Sequence, residues 1–468
     1  MLPALVLLCL GAFLLYLQFR IRRPKNFPPG PTPVPFFGNL HQLDRTNPLK
    51  DFDKFAQHYG SIYGLFIGSQ PAVVLTGQKM IREALITKAV EFAGRSDNMM
   101  VSHVTQSKGV IMADYGESWR EHRRFALSTL RNFGLGKRSM EQRILEEVKY
   151  ICSHLEESAG KSIDPKHLYH QAASNIIASI IFGSRFNHQD EYFQTLIISI
   201  EKLTKIVIGQ WAMLNEIAPV LRIFPLPFCK AFQYYGEIKN HILKVVDEHT
   251  RSRVTGEPRD LIDCYLEEIE KRVDQCTTFD VSQMATLLFD LFAAGTETTS
   301  NTLRTLTLYL MTHTHIQANF LTGANICLNI KIFNSSGMVT TNAQLRGYNI
   351  PKGTIIIPYL SSALREESQW KFPHEFNPQN FLNDKGEFVK PDAFMPFSAG
   401  SRVCLGENLA RMELFLILVT VLRRFCLVWP EDAGEPDFKL IYGGTQSVKP
   451  YRLTVQLRTP GQTCKSVY

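Results

Sequence analysis

Between Asp280 and about Met311 the chain is apolar on nearly every face of the helix that its periodicity describes. Asp280 stands where an N-cap belongs and Gln283 at the capping-box position, so the helix has a defined start. A helix without a polar face cannot lie on a surface. Other elements must wrap it, which commits the chain to a large core built around this segment. Composition permits that core: 45% of the 468 residues are hydrophobic and 20% charged, the balance of a globular protein. In the middle of the helix stands Ala294-Gly295-Thr296-Glu297-Thr298-Thr299. A glycine, and a threonine hydroxyl able to bond the carbonyl of Ala294, would open the helix there.

A second constraint lies from Phe397 to Gly406, where one thiol, Cys404, is set among Gly400, Gly406, the cation Arg402 and the aromatic Phe397. A helical pattern runs from Glu407 to Phe425 directly afterwards. Backbone N–H groups and the positive end of that helix would lower the thiol pKa and favour thiolate. Upstream, Trp119 and Arg123 stand one helical turn apart and can reach one anion, and Arg95 follows Gly94.

Phe-x-x-Gly-x-Arg-x-Cys-x-Gly resembles the haem-binding loop of the cytochrome P-450 haem-thiolate monooxygenases, and the chain is most similar to their vertebrate microsomal second family. The resemblance implies a mainly α fold with small antiparallel β-sheets, a haem domain behind an N-terminal transmembrane helix. It implies haem b as cofactor, with Cys404 as axial ligand and metal-binding residue, Phe397 packed beside the sulfur, and Gly400 and Gly406 shaping the loop. Arg402, Trp119, Arg123 and Arg95 would meet haem propionates. Thr298 would hydrogen-bond dioxygen, Glu297 would help relay protons from solvent, and Ala294 with Asp290 would line the substrate pocket. The activity implied is insertion of one oxygen atom from dioxygen into a lipophilic xenobiotic, fatty acid or steroid-like substrate. Electrons would come from an NADPH-dependent reductase, with cytochrome b5 as a further donor. Read without the resemblance, Cys404 also fits an inert buried thiol, and Trp-x-x-x-Arg a solvated helix face.

The remaining chain fits this frame. Leu2 to Phe19 is almost wholly apolar and as a helix spans about 27 Å, close to the hydrocarbon thickness of a bilayer. Arg20, Arg22, Arg23 and Lys25 follow, which places that side in the cytoplasm and favours an uncleaved anchor over a signal peptide. The division expected is an anchor over 1–21, a basic, proline-rich hinge over 22–38 and the haem domain over 39–468, at the cytosolic face of the endoplasmic reticulum membrane. Ile62–Ile67 and Ala72–Leu75 read as paired strands and Gln142 to about Val254 as helical; within it Ile223-Phe224-Pro225-Leu226-Pro227-Phe228 reads as an apolar, proline-broken loop, which fits a plain buried loop equally with the cover over the substrate entrance that the resemblance implies. Arg120, Arg124, Arg131, Lys137 and Arg138 form a basic patch, and the net charge of +7 suits an acidic donor protein or lipid headgroups. It does not argue for nucleic acid, since no zinc-finger spacing or RNA-binding aromatic motif accompanies it. Nine scattered cysteines without a Cys-x-x-Cys pair read as reduced thiols.

One motif of the family is missing. It carries Glu-x-x-Arg on a helix ahead of the cysteine loop, ion-paired to a later loop, yet after Glu297 the next carboxylate is Glu366. The atypical segment spans about 318–341 and includes the sequon Asn334-Ser335-Ser336. Asn380, in the loop the pair would anchor, replaces a basic or imidazole side chain, and Asn334 to Thr340 lacks a further propionate contact. A catalytically impaired relative, or the product of an aberrant transcript, is therefore the alternative reading. Ile441-Tyr442-Gly443-Gly444-Thr445 reads as a tight turn whose hairpin, by resemblance, reaches into the pocket.

Overall fold

The computed structural model describes residues 2–20, 23–44, 47–133, 138–187, 189–217, 222, 224–272, 277–319, 337–441 and 445–459. Its axis is the helix Val281–Thr312, capped by Asp280, whose carboxylate accepts from the Gln283 N–H at 2.7 Å. Most of its side chains are buried, as its unbroken apolar character requires. The helix Lys166–Ile181 packs along it closely enough that a Cβ added to Gly295 would lie 3.0 Å from Ile177. Buried hydroxyls tie the core helix to its neighbours: Tyr169 pairs with Thr307 and Tyr235 with Thr286, each at 2.9 Å, and Tyr451 donates to the Arg304 carbonyl at 2.7 Å. Each of these hydroxyls thus has a partner where leaving it without one would cost about 1–3 kcal/mol. The helices Arg138–Glu157, Glu191–Val207, Phe228–Ser252, Leu261–Lys271 and Glu407–Arg424 complete the main core.

The sheets are small and peripheral. Ile62–Ile67 pairs antiparallel with Gln70–Leu75, Ile62 opposite Leu75. Ile355–Pro358 then adds in parallel, with Ala72 opposite Ile355, and Gly337–Met338 closes the far edge. The parallel pairing arises because that strand arrives from far down the chain and not through a hairpin. A second sheet joins Ser162–Ile163, Leu453–Leu457 and Phe425–Val428. Leu440–Ile441 pairs with Ser447–Val448, so strands flank the predicted turn; Tyr442 to Gly444 lie outside the described residues.

The N-terminal run is helical over Leu2–Arg20, with Leu7 69% and Leu8 71% exposed. Among the described residues, no helix is long and apolar enough to cross a membrane. Arg23, expected only as a flanking charge, turns back onto the hinge and donates to the carbonyls of Pro28 and Pro31, each at 2.7 Å. The expectation of thiols throughout needs correction at Cys426, which is disulfide-bonded; Cys9, Cys152, Cys229, Cys264 and Cys404 are free. Most of the atypical segment, including the sequon, together with Ile223 and Lys137, falls outside the described residues.

Candidate functional site

The cysteine loop owes its shape to its own backbone. Cys404 N–H donates to the Phe397 carbonyl at 3.0 Å and Val403 N–H to that of Gly400 at 3.1 Å. Gly400 adopts φ +74°, and a Cβ there would fall 1.6 Å from the Leu85 carbonyl oxygen. No other residue fits that position. Gly406 precedes the helix Glu407–Arg424 as its N-cap, and a Cβ on it would meet nothing within 4 Å. Phe397 packs under the Arg411 guanidinium, 5.0 Å from the ring centre, and Arg411 is itself held by Glu407 at 2.9 Å.

The Cys404 thiol is surrounded by protein yet exposed, so it looks into open interior space and not into a packed core. Its pKa corrects the expectation. Burial pushes the thiol up, and this outweighs the Gly406 N–H and Arg123, which pull it down against Glu407. The helix terminus alone therefore does not make a thiolate; a bound metal ion would, because a coordinating thiol is deprotonated outright.

Three cations gather beside this loop. Arg402 donates to the carbonyls of Ala93 and Ala113, each at 2.8 Å, and stacks 4.0 Å from the Trp119 ring centre. Arg95 donates to the Ile111 carbonyl at 3.0 Å, and Arg123 to that of Val403 within the cysteine loop itself. Trp119 does not offer its indole N–H freely: it donates to the Val110 carbonyl at 3.0 Å. Burial, then repulsion from Arg95 and Arg123, brings Arg402 down to about 8, and burial brings Arg95 down to about 10. Cations that hold one another down in a low-dielectric place call for an anion. A soft accessible thiol at a helix N-terminus beside such a cluster is the donor set that haem requires, one thiolate for iron and cations for two carboxylates. The residues present fit the group.

The core helix runs unbroken through the stretch where the sequence suggested an opening. Thr298 Oγ1 donates to the Ala294 carbonyl at 2.7 Å, and Ala294 is exposed in the middle of a mostly buried helix. Glu297 turns to Thr445, whose hydroxyl donates to its Oε1 at 3.0 Å, and burial raises its pKa. Asp290 is 2% exposed, and its Oδ2 accepts from the N–H groups of Val110 and Ile111 at 2.7 and 2.9 Å. Burial pushes Asp290 up to about 7. Its carboxylate faces backbone donors and not open space.

The family comparison settles the ancestry that these features describe. The sequence profile described as Cytochrome P450 matches residues 28–321 and 333–455. The chain belongs to the cytochrome P450 family. P450 proteins bind haem b through a cysteine thiolate and act as monooxygenases. The chain is 36% identical over 464 residues to "Cytochrome P450 2F2" of Mus musculus, covering 92% of this chain and 94% of the relative. It is 37% identical over 482 residues to "Cytochrome P450 2J2" of Homo sapiens (96% and 95%) and 36% identical over 480 to "Cytochrome P450 2C8" of Homo sapiens (96% and 98%). The P450 match breaks at 322–332, within the segment that lacks Glu-x-x-Arg. Asn380, in the loop that this P450 motif would anchor, satisfies itself locally: it accepts from Phe372 N–H at 2.7 Å and donates to Phe372 O at 2.9 Å. Around it Leu364, Trp370, Phe381, Ala393 and Phe394 form a separate apolar cluster.

Sequence reasoning missed Glu413, a buried acid that burial pushes up to about 8 and that hydrogen-bonds Thr299 on the core helix. A carboxylate inside the apolar pattern after Cys404 was its available sign. Thr445 and Asn301, which bond each other at 2.8 Å, gave no sign, since their partners are far apart in sequence.

Proposed function

We propose that this chain is a haem-thiolate monooxygenase acting on a lipophilic substrate. The observation that carries the reading is Cys404, accessible at a helix N-terminus with Arg402, Arg95 and Arg123 beside it. Haem, when bound, supplies dioxygen activation at an iron whose thiolate ligand pushes electron density onto it. Cys404 offers that sulfur, and Arg402, Arg95 and Arg123, with the Trp119 ring stacked against Arg402, form the surface that receives the propionates. Ala294 leaves room above the helix, and Thr298 presents a hydroxyl held by the helix carbonyl. Glu297, kept toward its protonated form by burial, suits an acid that gives up and retakes protons. Per turnover one oxygen atom enters the substrate and the other leaves as water, which takes two electrons and two protons.

Electrons come from an NADPH-dependent reductase, with cytochrome b5 as a second donor, docking on the basic helix face. Arg120, Arg124 and Arg131 are exposed on the helix Glu117–Asn132, a spacing that keeps them on one side. The exposed apolar helix Leu2–Arg20 seats the chain in the endoplasmic reticulum membrane. The test is a carbon-monoxide difference spectrum of the purified reduced protein, followed by turnover with reductase and NADPH on a panel of lipophilic compounds. A thiolate-type Soret band and oxygenated product are expected; absence of the band refutes the reading. The missing Glu-x-x-Arg and the break in the family match support one other reading, a relative that binds haem without turnover, for which the band forms and no product follows.

A further inference from the structure

We propose that Thr445 and Asn301 are positioning residues for Glu297, fixing one oxygen of its carboxylate so that the other is left to exchange protons. The proposal rests on the reading of Glu297 as the acid that handles protons. Glu297, Asn301 and Arg304 stand at i, i+4 and i+7 on the core helix and so share one face. Asn301 Nδ2 donates to Thr445 Oγ1 at 2.8 Å. The threonine hydroxyl has a single hydrogen, and it points to Glu297 Oε1 at 3.0 Å. Arg304 Nη1 donates to Asn301 Oδ1 at 3.4 Å, which sets the amide so that its NH2 faces the threonine. Arg304, only 5% exposed, is anchored in turn by the Val448 carbonyl at 3.3 Å.

The chain of donors therefore runs one way, from a buried guanidinium through amide and hydroxyl to the acid, and each link polarises the next. Its two ends lie on the core helix and its middle on the segment before Ser447–Val448, so the carboxylate is clamped between two elements and not merely satisfied. Other charges around Glu297 oppose one another. On the helix Glu191–Val207 stand Glu201, which raises its pKa, and Lys205, which lowers it; on Lys166–Ile181 stands Lys166, which also lowers it. Both lysines are themselves spent on Glu201, at 3.1 and 3.0 Å. Among the described residues, the hydroxyl of Thr445 is left as the one direct side-chain hydrogen bond to this acid.

The experiment follows the Glu297 carboxyl stretch by infrared difference spectroscopy across pH in the full-length protein, assigned with E297Q. In T445V, which keeps the shape and removes the donor, the carboxyl midpoint is expected to rise by about one pH unit. T445S, which restores the donor, is expected to return it to the wild-type position, and N301L to move it upward by less than T445V. A T445V midpoint equal to wild type, or a T445S midpoint displaced as far as that of T445V, overturns the proposal. Hydrogen peroxide released per NADPH consumed is read in parallel and is expected to rise about threefold or more in T445V, as protons arrive out of step. If the midpoint moves and the peroxide ratio does not, the clamp stands and the proton-handling reading of Glu297 falls.

Discussion

Substituting Gly400 by alanine puts the structure of the cysteine loop to its most direct trial. The added Cβ would sit 1.6 Å from the Leu85 carbonyl oxygen and 2.7 Å from its carbon, and both are backbone atoms that cannot rotate away. Restoring a 3.0 Å contact requires about 1.4 Å of relative movement between the loop and the segment at Leu85. To this is added the cost of holding alanine at φ +74°, about 1–2 kcal/mol. Gly400 lies four residues before Cys404, and Val403 N–H bonds its carbonyl, so the movement passes to the thiol. A displacement near 1 Å at a reacting centre costs on the order of a hundredfold in rate. We expect G400A to lose about 2–4 kcal/mol in denaturant unfolding and to give little or none of the thiolate-type band in the carbon-monoxide difference spectrum. G406A is the control: its Cβ meets nothing within 4 Å, and its unfolding should stay within about 1 kcal/mol of wild type. A G400A protein with wild-type stability and a full thiolate-type band would refute the reasoning.

Substitutions at three other sites have defined outcomes. Glu413 is held protonated in the folded chain to about pH 8, against an ordinary value of 4.5, so the folded state keeps a proton that the unfolded chain gives up. Stability should therefore fall as pH rises from about 4.5 toward about 8. Thermal melts of E413Q should lose that slope. His249 lies 2.6 Å from Asp260 and 2.8 Å from the Val245 carbonyl; despite burial, the Asp260 carboxylate beside it raises its pKa. Its contribution is present below about pH 6.5 and lost as pH climbs through the raised value, so H249Q should melt lower than wild type at pH 6 and converge with it at pH 9. D290A leaves two buried N–H groups without an acceptor and should cost about 2–5 kcal/mol in urea unfolding, while D290N, which keeps one oxygen, should recover most of it.

What the sequence made legible is what is local or periodic. The core helix begins at its predicted cap and ends one residue past its predicted limit, and Ile62–Ile67 pairs as expected with a strand that starts at Gln70, two residues before the expected Ala72. The helix after Cys404 ends at Arg424 against an expected Phe425. Thr298 finds the Ala294 carbonyl because both partners sit on one turn of one helix. Less legible were choices between competing environments. That burial overrides the helix terminus at Cys404 depends on what surrounds the loop in space, and no spacing rule contains it. The Trp119 indole hydrogen goes to the Val110 carbonyl, a loop partner nine residues back that no helical spacing names. Glu413 and Thr445 acquire their meaning from Thr299 and Glu297, partners more than a hundred residues away in sequence.

The main chain of the segment Val110–Ala113 is gripped at several points, while Val110 and Met112 bury their side chains. Asp290 takes the N–H groups of Val110 and Ile111, Trp119 and Arg402 reach the Val110 carbonyl, Arg95 reaches that of Ile111, and Arg402 reaches that of Ala113. Every residue type except proline carries those groups. Ile111, 39% exposed, can therefore be exchanged in an evolving lineage without releasing the segment from the arginines or from the core helix. The clamps act as a mounting whose fixings are indifferent to what is mounted. At Ile111 such a fold can try new side chains beside an unchanged cysteine loop, each trial costing little stability and altering what the neighbouring surface admits.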